Sequence, residues 1–170
     1  MASFDIFINK LLRLEGGYVN HKNDRGGCTC KDITLPVFRS VYETGLTCDD
    51  LRDITDDQAG TIYKKNYWDV CKADKIRNSC IAYLLVDYAV NSGVRTAIKA
   101  VQRLLNVEVD GVVGPVTIRA INAYSEPKEL FDKLMEVRRN HYLKIVENNP
   151  SQKVFLKGWM NRLKAWEWKD

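Results

Sequence analysis

The sequence predicts a mainly helical, all-α fold, and three features carry that prediction. Apolar residues recur at spacings of three and four, first as Phe4, Ile8, Leu11 and Leu12 and later as Ala97, Val101, Leu104 and Leu105. That period lays one stripe along a helix. Helix start signals recur between these stripes; the clearest is Thr55-Asp56-Asp57-Gln58, a capping box. Alternation of the strand kind is weak everywhere, and only the stretch from Tyr18 to Thr34 has the turn residues and β-formers of a short hairpin.

Taken in order, the first stripe ends at Glu15, where Gly16-Gly17 stop the helix. Thr34 caps the next segment, with Pro36 early in it and Gly45 beyond its end. The capping box at Thr55 opens a helix that runs to about Tyr67. Asn78 or Ser79 opens another over Cys80 to Asn91, apolar on nearly every side, which belongs in the middle of a core. Asp87 is its lone charge. Two roles suit it: a hydrogen bond to a buried neighbour, or ordering of a functional loop. Composition shifts near Gly93. An amphipathic helix over Val94 to Leu105 leads to a loop with Asp110-Gly111 and Gly114-Pro115 as turn chemistry. Helices over Pro115 to Ala123, Glu129 to Glu147 and Gln152 to Trp168 complete the chain. Trp159, Trp166 and Trp168 are expected to pack, although Trp159 has the alternative of stacking on a sugar face. Two regions follow, 1–93 and 94–170. There is no internal repeat or low-complexity segment.

Bulk properties narrow the class. The 170 residues suffice for a sizeable core, and 45% apolar with 28% charged residues is ordinary for a soluble protein. A net charge of +4 suits any anionic partner. No basic run is interleaved with aromatics, so nucleic acid is not the expected partner. No apolar stretch is long enough to span a membrane, and the start lacks the charged-apolar-small order of a signal peptide. Cytoplasmic synthesis and reduced thiols are therefore expected for Cys28, Cys30, Cys48, Cys71 and Cys80. Cys28 and Cys30 lie near His21, but a second ligand pair is missing, so no metal and no cofactor are expected.

Chemistry concentrates at the end of the first helix. Glu15 continues the apolar stripe and stands in the last turn. Partial desolvation and the negative end of the helix dipole both disfavour its charged form. A carboxylic acid that keeps its proton is what glycoside cleavage requires of a general acid. The plainer reading is a surface glutamate at a frayed helix end. Nine residues later comes Asp24, in a loop rich in Gly, Asn and Asp, and five further on comes Thr29. A shielded Glu and a solvated Asp in one site divide acid from base. Asp24 is equally suited to bonding its own backbone in a turn, and Thr29 to a strand.

The run Leu12-Arg13-Leu14-Glu15-Gly16-Gly17-Tyr18-Val19-Asn20, with Asp24-Arg25-Gly26-Gly27-Cys28-Thr29 and Ile33-Thr34-Leu35, resembles the opening of glycoside hydrolase family 108, the bacterial and phage N-acetylmuramidases. The likeness continues through Tyr67-Trp68-Asp69, Asp87 to Gly93, Asp110 to Pro115 and Lys157 to Arg162, nearly the whole chain in order. It implies a lysozyme-like fold, hydrolysis of the β-1,4 bond between N-acetylmuramic acid and N-acetylglucosamine, and Glu15 as the catalytic acid. The Glu-loop-Asp-Thr order is also similar to phage-type lysozymes. There the aspartate activates water, which gives Asp24 the base role with inversion at the anomeric carbon. Tyr18, Thr29 and Asn91 are the expected substrate contacts, Asn91 by offering an amide to an acetamido sugar. The Asp-Gly-x-x-Gly-Pro-x-Thr pattern at Asp110 resembles loops of helical peptidoglycan-binding modules, and a tight turn between two helices accounts for it as well. In two places the chain departs from the family. Asp32 stands where Gly usually precedes Ile-Thr, and Cys28 and Cys30 flank Thr29. Asp32 is thereby a rival second carboxylate. The expected partner is the glycan strand of peptidoglycan, met by a monomer after assisted release from the cytoplasm. Two other functions suit the same sequence: a non-catalytic peptidoglycan binder and a secretion-associated regulatory protein.

Overall fold

The computed structural model describes residues 2–20 and 28–169. It is mainly helical, as the sequence predicts. Nine α-helices occur among the described residues: α1 Phe4–Leu14, α2 Leu35–Val41, α3 Cys48–Arg52, α4 Asp56–Tyr63, α5 Ser79–Ser92, α6 Val94–Leu104, α7 Pro115–Asn122, α8 Pro127–Asn148 and α9 Lys153–Ala165. One antiparallel sheet of order β1-β2-β3 is formed by Val19–Asn20, Cys28–Cys30 and Ile33–Thr34. No helix among the described residues is long and apolar enough to cross a membrane. The chain divides into two compact units, Phe4–Asn66 and Tyr67–Asp170 with Met1–Ser3.

In the first unit, Phe7, Ile8 and Leu11 form the buried stripe of α1. Gly60 on α4 admits Ile8 at close range, since a Cβ there would lie 3.7 Å from its Cγ1. Local signals set the other helices. The Thr34 hydroxyl accepts from Val37 N–H at the start of α2, and Thr55 with Gln58 closes the capping box of α4. Thr47 and Asp50 make a second box at α3, and the bonds that the Thr47 hydroxyl and N–H donate to the Asp50 carboxyl hold it below its ordinary range. The helix expected to reach Tyr67 is α-helical to Tyr63 and then widens into a π-turn over Lys64–Trp68.

In the second unit, α5 is the central rod. Nine of its residues from Cys80 to Ala89 are buried, and it packs on α6 and α8. Asp87 is fully buried in it, and the carboxylate meets two guanidinium groups. Arg138 of α8, itself fully buried, places Nη2 2.6 Å from Oδ2. Arg162 of α9 places Nη2 2.8 Å from Oδ1 and Nε 3.1 Å from the same oxygen. Arg138 Nε donates to the Tyr142 hydroxyl at 2.7 Å, and its guanidinium lies over the rings of Tyr88 and Tyr142. Burial pushes the Tyr88 phenol up to about 12 and raises Tyr142 as well, so both stay neutral beside the cation. Of the two roles open to Asp87, the structure shows the hydrogen-bonded one, with side chains as the partners. Two charged side chains are fully buried here, and charge is expensive inside unless paired.

The loop after α6 folds around Gln102, whose side chain is buried. Its amide nitrogen donates to Asp110 Oδ1 at 2.7 Å and Val112 carbonyl at 3.0 Å, and its carbonyl oxygen accepts from Gly111 N–H at 2.9 Å. Gly111 has φ +78°, where a side chain is strained. Bonds from Val112 N–H and Gln102 hold the Asp110 carboxyl below its usual range. Gly111 therefore serves a tight turn. The aromatics near the C-terminus pack within the unit: Trp159 stacks on Tyr142 at 5.2 Å, Trp166 is buried against Tyr83, and Trp168 meets Phe131 edge-on.

Replacing Asp87 by Asn leaves Arg138 buried with no carboxylate facing it. Such a break costs about 3–5 kcal/mol. Urea unfolding of Asp87→Asn is expected to show a loss of this size, while the same change at the exposed Asp132 leaves the midpoint within ~0.5 kcal/mol of the parent.

Candidate active site

The site is built on the end of α1 and the small sheet. Glu15 is half-buried, one residue past α1, and its N–H still donates to Leu11 carbonyl at 3.1 Å. The next residue fixes the chain to the sheet, because Gly16 carbonyl accepts from Lys31 N–H at 3.1 Å. Thr29 is the middle of the central strand, paired with Val19 on one side and Thr34 on the other. Cys28 and Cys30 on either side of it are buried, so the pleat turns Thr29 to the opposite, more open face with Val19 and Thr34. The face that carries the Thr29 hydroxyl is thus selected by strand period, and the flanking cysteines are its inward counterparts.

Lys31 and Asp32 make the two-residue turn between β2 and β3, with φ of 50° and 58°. Both are left-handed, as a primed hairpin turn demands. Aspartate is tolerated at the second position because Asp and Asn are the side chains that enter this region most readily. Asp32 is exposed at the turn. The tip is anchored from below, because the buried Tyr63 donates its hydroxyl to Lys31 carbonyl at 2.6 Å. Lys31 Nζ reaches Ile54 carbonyl at 3.1 Å and pairs with Asp56.

Tyr18 is half-buried just before β1, with the Arg52 guanidinium 4.7 Å from its ring centroid. Interaction with Tyr18 and the neighbouring Asp49 holds Arg52 more firmly in its charged form. The structure thus brings Glu15, Tyr18 and Thr29 together in one unit. Asn91 lies on α5 in the other unit, and its carboxamide oxygen accepts from the Tyr142 hydroxyl, the far end of the Asp87 network. Asp24 falls outside the described residues.

One expectation is corrected. Cys28 and Cys48 are joined in a disulfide with Cα atoms 5.8 Å apart, so the five thiols are not all free. Cys30, Cys71 and Cys80 are free and buried, and burial pushes the Cys71 thiol up to about 12. The reason is tertiary. β2 turns Cys28 inward toward the start of α3, where the Thr47 cap sets Cys48, a neighbour 20 residues away in sequence. The bond ties the strand bearing Thr29 to a helix that sequence reading missed, although Thr47-x-x-Asp50 signals it.

A half-buried glutamate at a helix end, pinned beside a small antiparallel sheet in an otherwise helical chain, defines a lysozyme-like protein. Residues 8–93 match the family model for glycosyl hydrolase 108, and residues 96–164 match that of a predicted peptidoglycan domain. The chain belongs to the glycosyl hydrolase 108 family. Among solved structures it is similar to that of Brucella abortus SagA, at 27% identity with a TM-score of 0.78, over 95% of this chain and 89% of that one. No curated protein matches it. The protein is therefore a glycoside hydrolase acting on peptidoglycan, and the enzyme stands over the binder and the regulatory protein among the readings open to the sequence.

Two measurements probe this unit. Cys28→Ser with Cys48→Ser frees a loop of 20 residues and is expected to lower stability by about 3 kcal/mol in chemical unfolding. Asp32→Gly suits the left-handed turn and is expected to keep stability within ~1 kcal/mol of the parent, or to raise it, with wall-degrading activity unchanged. A large activity loss in folded Asp32→Gly would assign the second carboxylate to Asp32.

Proposed function

We propose that the chain is an N-acetylmuramidase that cleaves the β-1,4 bond between N-acetylmuramic acid and N-acetylglucosamine, with Glu15 as general acid. The observation that carries this reading is the position of Glu15. It lies half-buried where α1 ends, and the residue after it is hydrogen-bonded to the hairpin that displays Thr29. A residue held there is partly shielded from water, and its backbone is tied within one residue to a strand that can carry a sugar. Protonation of the glycosidic oxygen by Glu15 lets the leaving sugar depart as an alcohol while positive charge develops at the anomeric carbon. In this reading Asp24 takes a proton from the attacking water, and the Thr29 hydroxyl holds that water or the sugar in line. Tyr18 contributes a wall beside Thr29. Asn91 is assigned a substrate contact through its amide nitrogen, since its oxygen already accepts from Tyr142.

Glu15→Gln preserves size and removes the proton. The folded variant is expected to lose roughly 10²–10⁴-fold in the release of reducing ends from purified walls, since that is what a general acid typically contributes. NMR of the first product tests the role of Asp24. An initial α-anomer at the new reducing end means inversion, as a water-activating base requires, and an initial β-anomer means retention and rejects that role. Near-normal hydrolysis by a folded Glu15→Gln protein would reject the acid.

A further inference from the structure

A groove of about 650 Å³ runs between α8 and α9, and none of the residues assigned a part in the reaction lines it. Asp132, Met135, Glu136 and Arg139 line it from α8, and Met160, Leu163 and Lys164 from α9. Their spacings of three and four place each set on one face of its helix. The volume lies within the range of small-ligand clefts, roughly 300–1,000 Å³. All seven residues fall inside the stretch that matches the predicted peptidoglycan domain.

The lining has a definite chemistry. Two methionines and Leu163 make an apolar floor, and methionine adapts its shape to irregular ligands. The rim carries two acids, Asp132 and Glu136, and two bases, Arg139 and Lys164. Asp132 pairs with Lys128 at 2.7 Å in an exposed contact that a ligand can displace. Glu136, Arg139 and Lys164 make no ion pair among the described residues. Among the described residues no aromatic ring lines the groove, and Trp159, the nearest candidate in sequence, is stacked on Tyr142. A sugar chain is best held by ring faces and neutral amides. This groove offers neither. It offers opposite charges above a pliable apolar floor.

We propose that the groove binds the stem peptide of peptidoglycan, the short peptide carried by the muramic acid. The peptide has the complementary set: side-chain and terminal carboxylates for Arg139 and Lys164, a free amine on its diamino acid for Glu136 and Asp132, and aliphatic methylenes for the floor. This rests on the reading of the chain as a peptidoglycan hydrolase, and it separates the duties of the two regions. One grips the glycan at the bond to be cut, and the other grips the peptide that hangs from it.

The test uses the full chain labelled with ¹⁵N. Its probes are the tripeptide L-Ala-γ-D-Glu-meso-diaminopimelate and, separately, the peptide-free disaccharide of N-acetylglucosamine and N-acetylmuramic acid. The tripeptide is expected to shift amides of 132–139 and 160–164 saturably, and the disaccharide to leave them in place. Arg139→Glu with Lys164→Glu, both on exposed side chains, is expected to weaken the tripeptide about tenfold. The same variant should cleave glycan strands stripped of peptide at the parent rate. The proposal is overturned if the tripeptide moves none of these amides, if the double variant binds it as the parent does, or if the disaccharide moves them instead. Failure of the parent to release reducing ends from either intact or stripped strands would refute the muramidase reading, and the peptide titration stands apart from that result.

Discussion

The carboxylate of Asp87 is the constraint on which the helices of the second unit depend. A fully buried charge has to be answered, and here one anion answers two cations from two different helices. α5 presents Asp87 on an otherwise apolar rod, α8 brings Arg138, and α9 brings Arg162. Apolar faces tolerate sliding and rotation by a residue, since one methyl packs much like another. A bidentate guanidinium contact does not, because its geometry is fixed. The register of three helices is thereby set at one point. From Arg138 the chain of polar contacts continues through Tyr142 to Asn91, at the end of α5. The same network therefore holds the Asn91 carboxamide, and its conformation follows from the core.

The first unit solves a similar problem at smaller scale. Its three-stranded sheet has strands of only two or three residues, too short to be stable alone. Covalent and polar ties replace extent. The Cys28–Cys48 bond holds the central strand to α3, Tyr63 and Lys31 hold the turn to α4, and Gly16 holds the sheet to the end of α1. Each tie lands within a few residues of Thr29 or Glu15. Glu15 and Thr29 are linked through the Gly16–Lys31 hydrogen bond and the Val19–Thr29 strand pairing. Rigidity of this kind is what proximity catalysis asks of its scaffold.

Compactness and family divide the chain differently. The family models divide it after residue 93, whereas packing groups α5 with the helices that follow. The all-round apolar surface of α5 accounts for this, because a helix buried on every side needs neighbours on every side. α6 and α8 supply them.

Much of the fold was legible in the sequence because helix rules are local. The stripe of α1, the caps at Thr34, Thr55 and Asn78, and the terminating glycines after Glu15 act over three or four residues and hold in almost any surroundings. The same local grammar marks Glu15 itself, since a carboxyl on an apolar stripe at a helix end is visible before any fold exists. The left-handed turn at Lys31-Asp32 was not legible, because neither residue declares it alone. Local sequence therefore accounts for the helices, their ends and the candidate acid. Their partners are set by tertiary packing. Arg162 lies 75 residues from Asp87, Tyr142 lies 51 from Asn91, and Cys48 lies 20 from Cys28. Periodicity states which face of a helix is buried but not which side chain it will meet there. Buried charges, thiols and amides are specified by such meetings, so their roles appear only once the faces have been brought together.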